Sequence, residues 1–234
     1  MTTRYAAILL LLLAAGSPAQ QPAQLSQPPV APVAPHWDSP LTAFKETDFR
    51  LTYSYPSKFV PADVASAAAA TYTLPAKKSP DAPCVEAPLS VGYTENNGNS
   101  VLILSIIGNA CPSVFADASK LDRFTEDQVM RQLQRYGVPK LTHRAALFNI
   151  DGRPAAVATA SARATETQTG DTLNTTYAAK VCVYSQEPNI NTLAHVICFD
   201  FTTQQRDLLP AMLAFPIQFG NGAPKPLVPA AVLR

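Results

Sequence analysis

From Phe49 to Tyr55 apolar and polar residues alternate. Phe49, Leu51, Tyr53 and Tyr55 fall on one side of an extended strand, with Arg50, Thr52 and Ser54 on the other. Pro56 ends this strand, because proline removes a ladder donor and restricts the residue before it. The segment "VASAAAATYTL", from Val64, then reads as helix at its start, although Thr71, Tyr72 and Thr73 can extend as strand. The prolines of "PAKKSPDAP", residues 75 to 83, make a loop. "NSVLILSIIG" is a continuous apolar run, which predicts a central strand covered on both faces.

"LDRFTEDQVMRQLQRYG" carries the strongest helical pattern. Thr125 stands in N-cap position with Gln128 three residues on, the spacing of a capping box, and Phe124 and Val129 suit a hydrophobic staple. Val129, Leu133 and Tyr136 form one stripe with Met130 beside it, a pattern that core contact explains. Gly137 offers the stop. "LTHRAALFNIDGRPAAVATASARA" reads as a hairpin turning at Asp151-Gly152, and its alanine-rich second strand implies close packing against another layer. "TTYAAKVCVYSQEPN" and "NTLAHVICFDFTT" form the next strand pair. "QQRDLLPAMLAFPIQF" reads as a terminal helix, kinked or interrupted at Pro210. Helices around a mainly antiparallel sheet predict an α+β fold, an α/β/α sandwich, and short connections from about residue 141 make a meander the simplest topology.

The flanking segments place this domain in its chain. "MTTRYAAILLLLLAAGSPAQ" has the basic start, short apolar stretch and small residues of a secretory signal peptide, with cleavage expected after Ala19. Its apolar run is shorter than the roughly 20 residues that span a bilayer. Residues 20 to about 40 are a Pro-rich leader, and a second Pro-rich segment runs from Asn221 to Arg234. One domain, residues 41–220, is expected between them. The expected location is the periplasm or outside the cell, with no stable membrane span after cleavage. Eighteen basic residues against seventeen acidic ones are scattered without a stripe, which argues against a nucleic-acid partner.

The order of elements resembles the PsbP-like domain. An early aromatic strand ending in Tyr55-Pro56 comes first, then VLILSIIG, the helix TEDQVMRQLQRYG, strands through the DG hairpin, and DLLPAMLAF. The resemblance spans roughly residues 45 to 219 and implies an α/β/α sandwich. It also implies a non-catalytic accessory or binding module, since the family offers no compact catalytic signature to carry onto numbered positions here. A shared fold does not by itself assign a function.

Four cysteines, Cys84, Cys111, Cys182 and Cys198, fit disulfides in an exported chain and allow three pairings. A turn around residues 188 to 192 sets Cys182 opposite Cys198, Tyr184 opposite Val196 and Gln186 opposite Ala194. The preferred bridge is therefore Cys182–Cys198, which leaves Cys84–Cys111. Alternation puts His195 on the other face with Val181, Val183, Ile197 and Phe199, while Asp200 stays on the cysteine face. His195 reads as a partly buried structural residue.

No CxxC pair, GxSxG elbow or HExxH helix is present, and His143 and His36 lack a catalytic setting. Glu126 and Asp127 are read as first-turn acids at a helix N-terminus. Asn174-Thr175-Thr176 fits a glycosylation pattern only in a host that performs it. No catalytic, cofactor or metal residue is assigned, and no cofactor is expected. The polar segments 92–99 and 184–191 are the expected interaction surfaces. These readings point to a non-enzymatic binding or accessory domain with a possible envelope protein partner, in an oligomeric state the sequence leaves open. The alternative is a small-molecule hydrolase or other enzyme whose site forms only in three dimensions.

Overall fold

Strand β1 (Leu41–Glu46) and strand β2 (Leu51–Pro56) form an antiparallel hairpin in which Phe44 faces Tyr53. Phe49, Leu51, Tyr53 and Tyr55 are buried together, as their shared parity requires. β1 has no such alternation to betray it, since it is an edge strand exposed along most of its length. This computed structural model describes residues 39–62, 85–95, 98–108, 117–165, 169–186 and 194–233. The signal peptide, most of the leader, the helix expected from Val64, and Cys84 and Cys111 lie outside the described residues.

A second, larger antiparallel sheet carries the fold. It contains β3 (Val60–Pro61), β4 (Val85–Glu95), β5 (Gly98–Gly108), β6 (Val138–Ile150), β7 (Arg153–Thr165), β8 (Thr172–Ser185) and β9 (His195–Thr203), in the order β3-β4-β5-β9-β8-β7-β6. The expected meander is the run β6 to β9. β5 is the expected interior strand, and Leu102, Ile103, Leu104, Ile106 and Ile107 are buried on both of its faces. The β6–β7 connection has two residues, Asp151 at φ 50° and Gly152 at φ 81°. Two consecutive positive φ angles give the turn a twist that matches its strands, which is what Asp-Gly supplies.

Helix α1 (Leu121–Leu133) covers one face of this sheet. Val129 and Leu133 pack on Ala158, Ala160, Ala162 and Ala178, whose small side chains let the helix approach closely. The expected capping box does not form. The helix begins at Leu121, and Thr125 lies inside it, buried, donating its hydroxyl to the Leu121 carbonyl at 2.6 Å. The acids move with the start, so Glu126 and Asp127 are not first-turn residues. Glu126 Oε1 instead accepts the Ala145 N–H at 2.8 Å, beside a register shift in β6.

The opposite face is covered by helix α2 (Leu208–Leu213) and by the small sheet β1-β2-β10-β11, completed by β10 (Pro216–Phe219) and β11 (Lys225–Pro226). The result is an α+β fold, a large antiparallel sheet flanked by two helices. The sequence reading overextended α2. Pro210 sits in its first turn, where no helical N–H partner is needed, so it neither kinks nor interrupts the helix. "PIQF" leaves the helix and pairs with β2. The Pro-rich segment after Asn221 docks onto this layer, burying Leu227 and Val228. Their N–H groups bond to the carbonyls of Phe215 and Leu213.

Candidate binding cleft

The reactive residues of the β8–β9 pair are sorted by face. Cys182 faces Cys198 and Tyr184 faces Val196, and a disulfide joins the cysteines across a Cα separation of 4.2 Å. That short span suits the narrow pairs of an antiparallel ladder. Two residues along the same face, Lys180 faces Asp200 with Nζ 2.6 Å from Oδ1, and both are sealed from solvent. Gln132 of α1 extends this polar line, donating to the Phe201 carbonyl at 3.1 Å and to Thr202 Oγ1 at 2.7 Å. His195 lies on the other face, its ring edge-on to Phe49 at 5.1 Å. The cysteines and His195 therefore do not converge. Among the described residues no group of three or more His, Cys, Asp or Glu could hold a metal ion.

Surface chemistry gathers where the β6–β7 turn, the end of β8 and a 3-10 turn (Ala118–Lys120) meet. They enclose an open cleft of about 490 Å³ lined by Asp117, Asp151, Arg153, Tyr184 and Gln186. Three of these side chains have a local support. Asp117 caps the 3-10 turn by accepting the Ser119 N–H at 2.7 Å, and hydrogen bonds from Ser119 hold its carboxyl below the usual aspartate range. Asp151 forms an ion pair with Lys225 of the docked C-terminal segment. The Arg153 guanidinium lies 4.3 Å over the Phe219 ring. It donates at 3.4 Å to both Ser185 Oγ and the Asp151 carbonyl. Burial, and then the nearby Asp117 carboxylate, raise the Tyr184 phenol, so it stays neutral at physiological pH.

The cleft thus presents two carboxylates, one of them paired with Lys225, together with a fixed guanidinium, a phenol and an amide. Such a set recognises a polar ligand by hydrogen bonding. The described lining contains no serine, cysteine or histidine.

Of the expected interaction segments, Tyr184 and Gln186 line this cleft, and residues 187–193 lie outside the described residues. The other segment ends the β4–β5 hairpin. There Thr94 Oγ1 donates to Asn99 Oδ1 at 3.0 Å, and Gln205 Nε2 donates to the Glu95 carbonyl at 2.9 Å. His143 lies within β6, its Nδ1 3.0 Å from Thr159 Oγ1. Sequence reasoning missed the Lys180–Asp200 pair and Arg153. The first carried a signal: once Cys182 is set opposite Cys198, Lys180 must fall opposite Asp200.

No protein-family model matches the chain, and no curated protein sequence does. Among solved structures it shows a weak, partial likeness to the PsbP-like fold. The cyanobacterial PsbP (CyanoP) of Synechocystis sp. PCC 6803 is 16% identical with a TM-score of 0.40, over 74% of this chain and 84% of that one. LpqN of Mycobacterium tuberculosis, involved in cell envelope biogenesis, is 13% identical with a TM-score of 0.34, over 58% and 79%. PA94 of Pseudomonas aeruginosa is 15% identical with a TM-score of 0.30, over 80% and 98%.

Proposed function

We propose that this protein is an exported, non-enzymatic binding or accessory domain of the cell envelope, and that the Asp117–Arg153–Gln186 cleft carries its partner surface. One observation supports this above the others. The side chains with the most chemistry are used inside the fold, as a disulfide and a sealed ion pair under α1. The cleft instead offers hydrogen-bonding groups held by a tight turn and a cation–π contact. Loops and turns at the end of a stiff sheet are a common place for a partner site. Among the described residues no helix is long and apolar enough to cross a membrane.

A photo-crosslinking residue at Gln186 tests the reading in native envelope. Adducts of one mass are expected, and they should disappear when Arg153→Glu reverses the cleft charge. Turnover in a panel of ester, amide and phosphoester substrates, abolished by Asp117→Asn or Tyr184→Phe, would instead establish the enzyme alternative.

A further inference from the structure

A second cleft, of about 450 Å³, opens where the segment after α1 meets the rim of β6, β7 and β8. It is lined by Arg135, Tyr136, Val138, Arg163, Thr165 and Asn174. Its electrostatics differ from those of the first cleft. Two arginines line it and no described carboxylate does. Arg135 lies 4.8 Å over the Tyr136 ring, and neither arginine makes an ion pair among the described residues.

Gly137 is what brings these groups together. Its φ is +132°, and a Cβ there would lie 2.1 Å from the Arg163 carbonyl oxygen. The backbone after Arg135 therefore passes directly against the backbone of Arg163, an approach only glycine permits. The C-terminal end of a helix attracts a cation such as Arg135 on its own account, but this gives no reason for Arg163 on β7.

The cationic character continues along the sheet. Val138 pairs with Arg163, Lys140 with Ser161 and His143 with Thr159, and directly paired residues share a face. Ser161 and Arg163 pair in turn with Tyr177 and Thr175 on β8. Lys140 and Arg163 are both exposed. Arg163 and Lys140 therefore stand diagonally across the β6–β7 pair, about 7–8 Å apart, beside the Ser161 hydroxyl.

We propose that this cleft binds a phosphate-bearing ligand, with Arg135 and Arg163 as the primary contacts and Lys140 extending the site to a second charged group. Arginine suits this task because its planar fork donates two parallel hydrogen bonds to an oxyanion. The phosphate has two possible sources, a soluble phosphate chain or a lipid headgroup. Titration of the full chain with inorganic tripolyphosphate, followed by amide NMR shifts, tests the first. Co-sedimentation with phosphatidylcholine vesicles containing phosphatidylglycerol tests the second.

Saturable shifts confined to residues 135–140, 163–165 and 174 are expected. Arg135→Gln and Arg163→Gln should each weaken binding roughly tenfold or more. Asp117→Asn in the other cleft should leave it unchanged. Vesicle binding that tripolyphosphate displaces assigns a lipid source, and tripolyphosphate binding alone assigns a soluble one. Unaltered unfolding midpoints will show that the glutamine variants fold. If neither probe binds, or if binding survives in the double glutamine variant, the proposal is overturned.

Discussion

Replacing Lys180 with methionine should be among the most damaging single changes in this protein, and the reason lies in its partner. Lys180 Nζ is 2.6 Å from Asp200 Oδ1, and the two side chains are 0% and 1% exposed. At that distance an effective dielectric constant of about 20 gives roughly 6 kcal/mol of attraction. Desolvation costs several kcal/mol per ion, so the intact pair comes close to break-even. Lys180→Met removes the attraction and leaves the Asp200 carboxylate buried beneath α1. The expected cost is about 3–5 kcal/mol, a large share of a domain's usual 5–15 kcal/mol or so. Asp200→Leu should cost a similar amount by taking its carboxylate partner from a buried ammonium. The double variant Lys180→Met/Asp200→Leu should recover most of the loss, because it removes both buried charges together. Urea unfolding followed by far-ultraviolet circular dichroism gives all four corners of the cycle. A single-variant loss of about 3–5 kcal/mol shifts the midpoint by roughly 2 M, for a slope near 2 kcal/mol/M. Single variants costing under about 1 kcal/mol, or a double variant equal to the sum of the singles, would refute the argument.

Further expectations concern the core, the second cleft and the disulfide. Tyr53 is wholly buried, its hydroxyl has no hydrogen-bond partner among the described residues, and desolvation raises its pKa well above 10.0. Above pH 10 the unfolded phenol loses its proton while the folded one keeps it, so stability falls as pH rises, by up to about 1.4 kcal/mol per pH unit. Tyr53→Phe should stabilise the fold by about 1 kcal/mol at neutral pH and remove that slope, as thermal melts across pH 8–11 or so will show. Gly137→Ala should cost about 2 kcal/mol or more through its clash with the Arg163 carbonyl, measured by denaturant titration. Gly152→Ala, at positive φ but in open space, should cost only about 1 kcal/mol in the same titration. Cys182→Ala/Cys198→Ala removes a bridge of sequence separation 16 and should cost about 3 kcal/mol, read from the same titrations beside the oxidised protein.

What could be read in advance follows from where the information is local. The Asp151-Gly152 turn, the interior strand and the facing of Cys182 and Cys198 follow from period-two alternation and backbone freedom, which involve neighbours in sequence. Thr125 shows the limit. Its spacing from Gln128 matches a cap, but burial of Leu121 against the sheet extends the helix one turn earlier and turns the threonine inward. β1 and β10 could not be seen from their own residues, because their order comes from pairing with β2 across long stretches of chain. The same holds for both clefts. Tyr184 was singled out by its polar segment, whereas Arg153 becomes a site residue only once Phe219 and Ser185 are folded around it. Arg135 and Arg163 become neighbours only through the glycine between the helix and β6.

The small sheet also sets an order of events. β2 is made before any strand of the large sheet, yet its partner β10 and the docked Leu227 and Val228 are made after all of them. A chain can complete its meander, with Tyr53 against Phe199, and still leave the other side of β2 without its partner until residues 216–228 dock. Pairing over that separation is slow, because loop closure precedes the contacts that reward it. Residues 216–228 thus fasten the small sheet from its far end, and a chain truncated at Phe215 is expected to leave β2 paired with β1 alone.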